Sequence, residues 1–144
     1  GIVTRLCDQV IMSEEGRLGL SGPEVIETVK GVGEFDSRDR SLVWRVTGGK
    51  LRRALGEATL LVDDDVAAFR AGLTACLSAQ SKPEKDLADL QAAQAALEAR
   101  RDRFPAARDG LEVWRSAGFP EPEAVPMLES DVFNQQLANL ETQS

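Results

Sequence analysis

Residues 16 to 24, GRLGLSGPE, constrain the fold of this chain more than any other segment because they place three glycines and a proline between two apolar stretches. Proline interrupts a β-ladder, since it has no N–H, but it fits the first turn of a helix. Ser21 is a candidate helix cap, and Glu24 would complement the positive end of the helix dipole. The segment therefore predicts a strand that turns sharply into a helix.

The flanking residues predict further strands and helices in an α/β or α+β order. Val25, Ile26 and Val29 are expected to form the buried face of the first helix. Ser37 is a candidate cap for the second helix, and Trp44 a candidate packing anchor. The predicted strands are residues 9–13, 17–20 and 58–62, and the predicted helices after the first are residues 37–46, 50–55 and 66–77.

The second half of the chain predicts helices alone. Residues 84 to 104 are rich in alanine and carry leucines at heptad-like positions, which suits either an oligomer seam or a helix packed on its own body. Residues 110 to 117 form a second amphipathic segment that contains Trp114, another candidate packing anchor. Residues 121 to 128 and 130 to 141 are further helix candidates.

Composition excludes several classes of function. The net charge of −7 and the pI near 4.7 argue against nucleic-acid binding, since the basic runs at residues 50–53 and 100–103 are short. No apolar run approaches the roughly 18 residues of a membrane span, and we expect a cytoplasmic protein. Cys7 and Cys76 are predicted to be reduced and buried, and with no histidine they cannot form a standard zinc site.

Three local patterns are candidate sites. Backbone N–H groups from Ser21 to Glu24 could bind an oxyanion, although the same residues also suit a plain strand-to-helix turn. Residues 47 to 50, TGGK, lack the full spacing of a phosphate-binding loop, so a helix break with an exposed lysine is favoured. Residues 63 to 65, three aspartates in a row, predict a solvated capping turn and no metal site.

Three arginines close to Trp44 form a fourth candidate. Arg38, Arg40 and Arg45 could grip an anionic substrate such as a carboxylate or a coenzyme phosphate. The alternative is ion pairing with the acidic residues nearby in sequence, which are Glu34, Asp36 and Asp39.

Two long segments carry a resemblance to a known family. Residues 7 to 27, CDQVIMSEEGRLGLSGPEVIE, resemble the carboxyltransferase branch of the crotonase-like superfamily. Residues 31 to 70, GVGEFDSRDRSLVWRVTGGKLRRALGEATLLVDDDVAAFR, are similar to the β subunit of biotin-independent malonate decarboxylase. The resemblance is strong over residues 1 to 77 and weaker over the helical remainder.

The resemblance implies an α/β fold: the C-terminal half of a crotonase-like (ClpP/crotonase) fold with a helical C-terminal tail. Subunits of this family are about twice as long, so the chain is expected to be a C-terminal portion. Residues 1–78 would belong to the carboxyltransferase core, and residues 79–144 would form a helical tail that packs against other subunits.

The resemblance also implies a reaction. Malonyl carried as a thioester loses carbon dioxide, and the enolate that remains is protonated to an acetyl thioester. Gly22 and Glu24 are the implied catalytic residues, the first through its backbone N–H and the second as a proton donor. The implied substrate-binding residues are Ser21, Pro23, Arg38, Arg40 and Arg45.

The implied enzyme is a carboxy-lyase that works as a heteromeric complex, so the isolated chain is expected to be inactive. Its partners would be a homologous γ subunit, an acyl-carrier subunit and an acyl-transferase α subunit. No cofactor or metal would bind directly, because the carrier subunit holds the substrate on a CoA-derived arm. The alternatives are a carboxyltransferase subunit of a biotin-dependent acyl-CoA carboxylase and a non-catalytic interaction module.

Overall fold

The computed structural model describes residues 4, 7–79, 86–105 and 107–143, which form an α-rich fold with one small parallel sheet. None of the described helices is both long enough and apolar enough to cross a membrane. In chain order the elements are β1 (Ile11–Ser13), α1 (Pro23–Lys30), α2 (Arg40–Thr47), α3 (Gly49–Ala54), β2 (Leu60–Val62), α4 (Val66–Ala79), α5 (Leu87–Arg103), α6 (Gly110–Ala117), a 3₁₀ turn (Val125–Met127) and α7 (Ser130–Gln143).

Aspartate side chains cap the N-termini of several helices. The Asp39 carboxylate accepts from the N–H of Leu42 and caps α2, whereas Ser37 was the predicted cap. Helix α5 begins with a reciprocal capping box between Asp86 and Asp89. Asp65 accepts from the first N–H groups of α4, which confirms the predicted capping role of the acidic turn. These caps satisfy donors that a helix leaves unpaired at its start.

The sheet has two parallel strands, with Ile11 opposite Leu60 and Ser13 opposite Val62. The predicted strand at residues 17–20 was wrong. Arg17 makes one isolated antiparallel bridge to Gly48, and the next residue, Leu18, donates its N–H to the carbonyl of Thr47 at 2.8 Å. The neighbour of this segment is a junction between two helices, so it offers no strand along which a ladder could continue.

The hydrophobic core draws on both halves of the chain. Trp114 and Phe133 are fully buried, and the Phe133 ring stacks on Phe119 with ring centres 5.5 Å apart. Trp44 is also buried, so both tryptophans are the packing anchors that we expected. The cluster around Trp114 and Phe133 also contains Met12, Leu51, Leu61, Val113, Val125 and Leu137. The division of the chain at residue 78 stays a prediction.

Two predictions of burial were wrong. Cys76 is buried as expected, but Cys7 is exposed because it precedes β1 and lies outside the core. Helix α1 was expected to bury Val25 and Val29, yet their side chains are 53% and 80% exposed. Among the apolar side chains of this helix, Ile26 is the half-buried one. The apolar face of α1 is therefore largely open.

Lys50 is buried, although an exposed lysine was predicted. Its Nζ donates to the carbonyl of Pro126 at 2.9 Å and lies 5.7 Å from the centre of the Trp44 ring. Helix α3 begins directly at Gly49, which packs against β1. Burial lowers the pKa of Lys50 below its ordinary value, and the charges of Glu14 and Glu129 partly oppose this shift.

The close contact of Gly49 with β1 predicts a cost for any side chain there. An added Cβ would lie 2.5 Å from the carbonyl oxygen of Ser13 and 2.8 Å from Cδ1 of Leu61. We expect Gly49→Ala to lower the free energy of unfolding by about 1–3 kcal/mol, as overpacking does. Gly33→Ala, whose Cβ would meet nothing within 4 Å, is the control. Equal denaturation midpoints for the two variants would contradict the packing.

The lowered pKa of Lys50 predicts a pH dependence of stability. Between the native pKa and the unfolded value of 10.5, the unfolded chain binds more protons at this site, so stability should rise with pH. The free energy of unfolding of the wild type, minus that of Lys50→Met, should increase as the pH approaches 10.5 and be constant below the native pKa. Urea denaturation at neutral and alkaline pH measures this difference. The same difference at both would rule out the predicted shift.

Candidate active site

Helix α1 begins at a turn whose shape is set by Pro23. Proline occupies the first helical position, so the cap position falls on the residue before it, Gly22, which has φ −68° and ψ 158°. Ser21 was predicted to be the cap, but it lies one residue too early. Glycine has no side chain with which to accept the first N–H groups, and the helix start is therefore uncapped.

Among the described residues, the uncapped start leaves the N–H of Glu24 open, and the two N–H groups that precede the helix are open as well. The carbonyl of Gly22 accepts from the N–H groups of Val25 and Ile26 at 3.1 and 3.2 Å. Within the described part of the chain, the N–H groups of Ser21, Gly22 and Glu24 have no acceptor. They stand at the positive end of the helix dipole, where a negative charge is stabilised.

A cleft of about 650 Å³ opens beside this turn, and Ser21 forms part of its wall. We call it the Ser21 cleft. Its wall combines the segment before α1, the end of α2, the loop before β2 and one face of α5. Its lining includes Leu18, Gly19, Ser21, Thr47, Arg52, Glu57, Leu97 and Arg100.

The other predicted residues of the turn lie next to the cleft and outside its lining. Pro23 is buried, whereas Gly22 and Glu24 are exposed. The Glu24 carboxylate folds back over the turn, since its Oε2 lies 3.3 Å from the place that a Cβ on Gly22 would occupy. The structure thus brings an open carboxylate and the open N–H groups together at one helix end.

The three predicted arginines lie away from the Ser21 cleft. Arg40 pairs with Glu15, and its guanidinium carbon is 4.2 Å from the centre of the Trp44 ring. Arg45 pairs with Asp109, and Arg38 is exposed. The ion pairs of Arg40 and Arg45 join α2 to distant segments, whereas partners close in sequence had been the alternative. A substrate-binding role for these arginines stays a prediction.

Two arginines of the short basic runs at residues 50–53 and 100–103 line the cleft instead. Arg52 donates from Nε to the carbonyl of Leu18 at 2.9 Å, from Nη2 to that of Val46 at 3.0 Å, and from Nη1 to Glu57 at 2.7 Å. Arg100 extends from α5 to the same Glu57, with Nη1 3.5 Å from Oε1. The only sign of this position in the sequence is that Arg52 follows the Gly48–Gly49 helix break by three residues.

This arrangement suits the stabilisation of a carbonyl oxygen that gains negative charge. Preorganised N–H donors beside a cleft are worth a few kcal/mol each to such a reaction. The open donors, the nearby carboxylate of Glu24 and a cavity large enough for a small acyl group are all present in the described residues. None of these parts requires histidine.

Comparison with known proteins gives two informative similarities. The chain is 35% identical, over 148 aligned positions, to the malonyl-S-ACP:biotin-protein carboxyltransferase MADC of Malonomonas rubra, covering 97% of this chain and 45% of that protein. It is also similar to a chain in the crystal structure of a Pseudomonas malonate decarboxylase hetero-tetramer in complex with malonate. That similarity has a TM-score of 0.60 and 35% identity, and it covers 80% of this chain and 41% of the other. No family model matches.

The two similarities agree in sequence and in structure. At 35% identity, both relatives are similar enough to indicate more than a shared fold. The two matches cover 97% and 80% of this chain. The chain spans less than half the length of the curated relative and of the solved chain. The resemblance seen in the sequence is therefore confirmed: over the length that it spans, this chain is similar to the MADC carboxyltransferase and to a chain of a malonate decarboxylase hetero-tetramer.

Proposed function

We propose that the chain supplies part of the active site of a malonate decarboxylase, as the β subunit or a portion of it. In this proposal the described α-rich fold with its parallel strand pair is part of a crotonase-like core. The complex acts in the cytoplasm as a carboxy-lyase on a malonyl thioester. The isolated chain is inactive because the remaining part of the active site lies on other polypeptides.

The proposed reaction breaks the bond between the malonyl methylene carbon and its free carboxylate. The electron pair of that bond moves into the thioester, carbon dioxide leaves, and the charge collects on the thioester oxygen. The N–H groups of Ser21 and Gly22 then donate to that oxygen. A proton taken up from solvent, and delivered through Glu24 or a water beside it, goes to the methylene carbon and gives the acetyl thioester.

One observation carries the proposal: the N–H groups of the turn are open and stand beside a cleft. Had they been paired within the chain, no oxyanion could use them. Their position at the dipole-positive end of α1 adds a favourable field. The similarity to a malonate decarboxylase hetero-tetramer supports malonyl as the acyl group.

The open apolar face of α1 supports the proposal that other subunits bind this chain. Leu20, Val25, Val29 and Val32 are 53% to 93% exposed around the turn. Apolar groups gathered next to a catalytic turn are stabilised when another protein covers them. We propose a homologous γ subunit as that protein, with an acyl-carrier subunit and an acyl-transferase α subunit completing the complex. The carrier holds malonyl on its CoA-derived arm, so this chain binds no cofactor directly.

A second candidate is a biotin-dependent carboxyltransferase. The observation in its favour is the similarity to MADC, a malonyl-S-ACP:biotin-protein carboxyltransferase. The enolate and its N–H donors would be the same, but the carboxyl group would pass to biotin. A requirement for a biotin protein therefore separates the two candidates.

Reconstitution tests the proposed function. The chain is mixed with a carrier-bound malonyl thioester, with and without the companion subunits, and release of carbon dioxide is followed. We expect release from the complete mixture alone, and no change when avidin is added. Loss of activity with avidin would favour the biotin-dependent candidate. No activity in any mixture would leave the chain as a non-catalytic interaction module.

Replacement of Glu24 tests the proton donor. Glu24→Gln in the complete complex should lower kcat at least about tenfold, because general acid catalysis typically contributes 10²–10⁴-fold. The matched control is Glu34→Gln, a change to an exposed carboxylate in the loop that follows the same helix. Equal turnover by the two variants would remove Glu24 from the mechanism.

A further inference from the structure

We propose that Arg52 is a positioning residue that fixes the Ser21 turn and so aligns its N–H donors. This inference rests on the proposed function for its catalytic consequence. The geometry of the contacts, however, is independent of which reaction the cleft serves. The side chain of Arg52 connects three segments that meet at the cleft, and the segment leading into the turn is one of them.

The contact with that segment is two-sided. Leu18 donates its N–H to the carbonyl of Thr47 at 2.8 Å, and its own carbonyl accepts from Nε of Arg52 at 2.9 Å. The next residue, Gly19, lies so close to Thr47 that an added Cβ would be 3.1 Å from its Cγ2. Ser21 follows only two residues later, so little backbone freedom remains between the fixed Leu18 and the open N–H groups.

Arg52 is itself held in place. Its Nη1 pairs with Glu57 at 2.7 Å, and the two side chains are only 16% and 12% exposed. Its carbonyl accepts from the N–H groups of Glu57 and Ala58 at 2.8 and 3.0 Å. A guanidinium with this many fixed bonds has a defined position, and its planar geometry allows bonds in three directions that lysine cannot reproduce.

Loss of this anchor should affect catalysis more than binding. A misplacement of a reacting group by 1 Å can cost about 100-fold in rate, and donors that act on the developing oxyanion contribute mainly to the transition state. The bulk of a carrier-bound substrate would still bind elsewhere in the complex. The signature of a positioning residue is therefore a fall in kcat with little change in KM.

The test compares Arg52→Lys and Arg52→Gln with Arg53→Gln. Arg53 lies on the same helix, pairs loosely with Glu141 at 3.7 Å and is not part of the cleft lining, which makes it a matched control. In the reconstituted complex we expect both Arg52 variants to lose at least tenfold in kcat with KM within threefold of wild type. Arg53→Gln should keep the wild-type kcat.

Amide hydrogen exchange on the 144-residue chain gives a second readout that requires no activity. Arg52→Lys should raise the exchange rate of the Leu18 N–H at least tenfold and leave that of Phe133, in the core, within twofold. Unchanged exchange at Leu18 would overturn the inference even if the complex is active. If Arg52→Lys speeds exchange at Leu18 but the wild-type complex releases no carbon dioxide, the anchoring role of Arg52 stands and the proposed function is refuted.

The same variants distinguish positioning from an exclusively structural role of Arg52. It would make Arg52→Lys less stable while each folded molecule kept the wild-type kcat, and that result would overturn the inference. Should Arg52→Gln fail to fold, Arg52→Lys carries the test alone, since lysine keeps the charge but reaches fewer of the three acceptors.

Discussion

The segment before helix α1 is fixed by hydrogen bonds on both faces of Leu18, and the geometry of the candidate site depends on this attachment. The bonds lead to the end of α2 and to Arg52 of α3, so two helices determine where the turn stands. Pro23 then fixes the start of α1 and leaves Gly22 as a cap without a side chain. Open N–H groups beside a cleft follow from these two constraints.

The helix junction that anchors this segment is itself part of the core. Gly48 and Gly49 allow α2 and α3 to meet without a loop, Gly49 packs against Ser13 of β1, and Lys50 follows it into a buried position beside the Trp44 ring. A buried ammonium group is costly unless it is paired, and the carbonyl of Pro126 supplies the direct partner. The candidate site is thus supported by residues near the C-terminal end of the chain, which lie far from it in sequence.

Local signals predicted many of the elements, and long-range contacts explain the errors. Helix α6 has the bounds that were predicted for it, because its apolar spacing and the glycine that follows it are encoded within the segment itself. The strand at residues 17–20, the exposed Lys50 and the buried face of α1 were wrong, since each depends on what lies opposite in space. Ser21 lines the cleft, and its substrate-binding role stays a prediction. Arg52 and Glu57 were missed because their contacts are with residues 5 to 43 positions away.

The central claim is that the open N–H groups of the Ser21 turn hold the oxygen of a malonyl thioester. The most direct test is a crystal structure of the complete complex with a malonyl thioester analogue that cannot lose its carboxylate. The claim predicts the thioester oxygen about 2.7–3.1 Å from the N–H nitrogen of Ser21, Gly22 or Glu24. A thioester oxygen bound elsewhere, with these three groups facing water or another subunit, would contradict it.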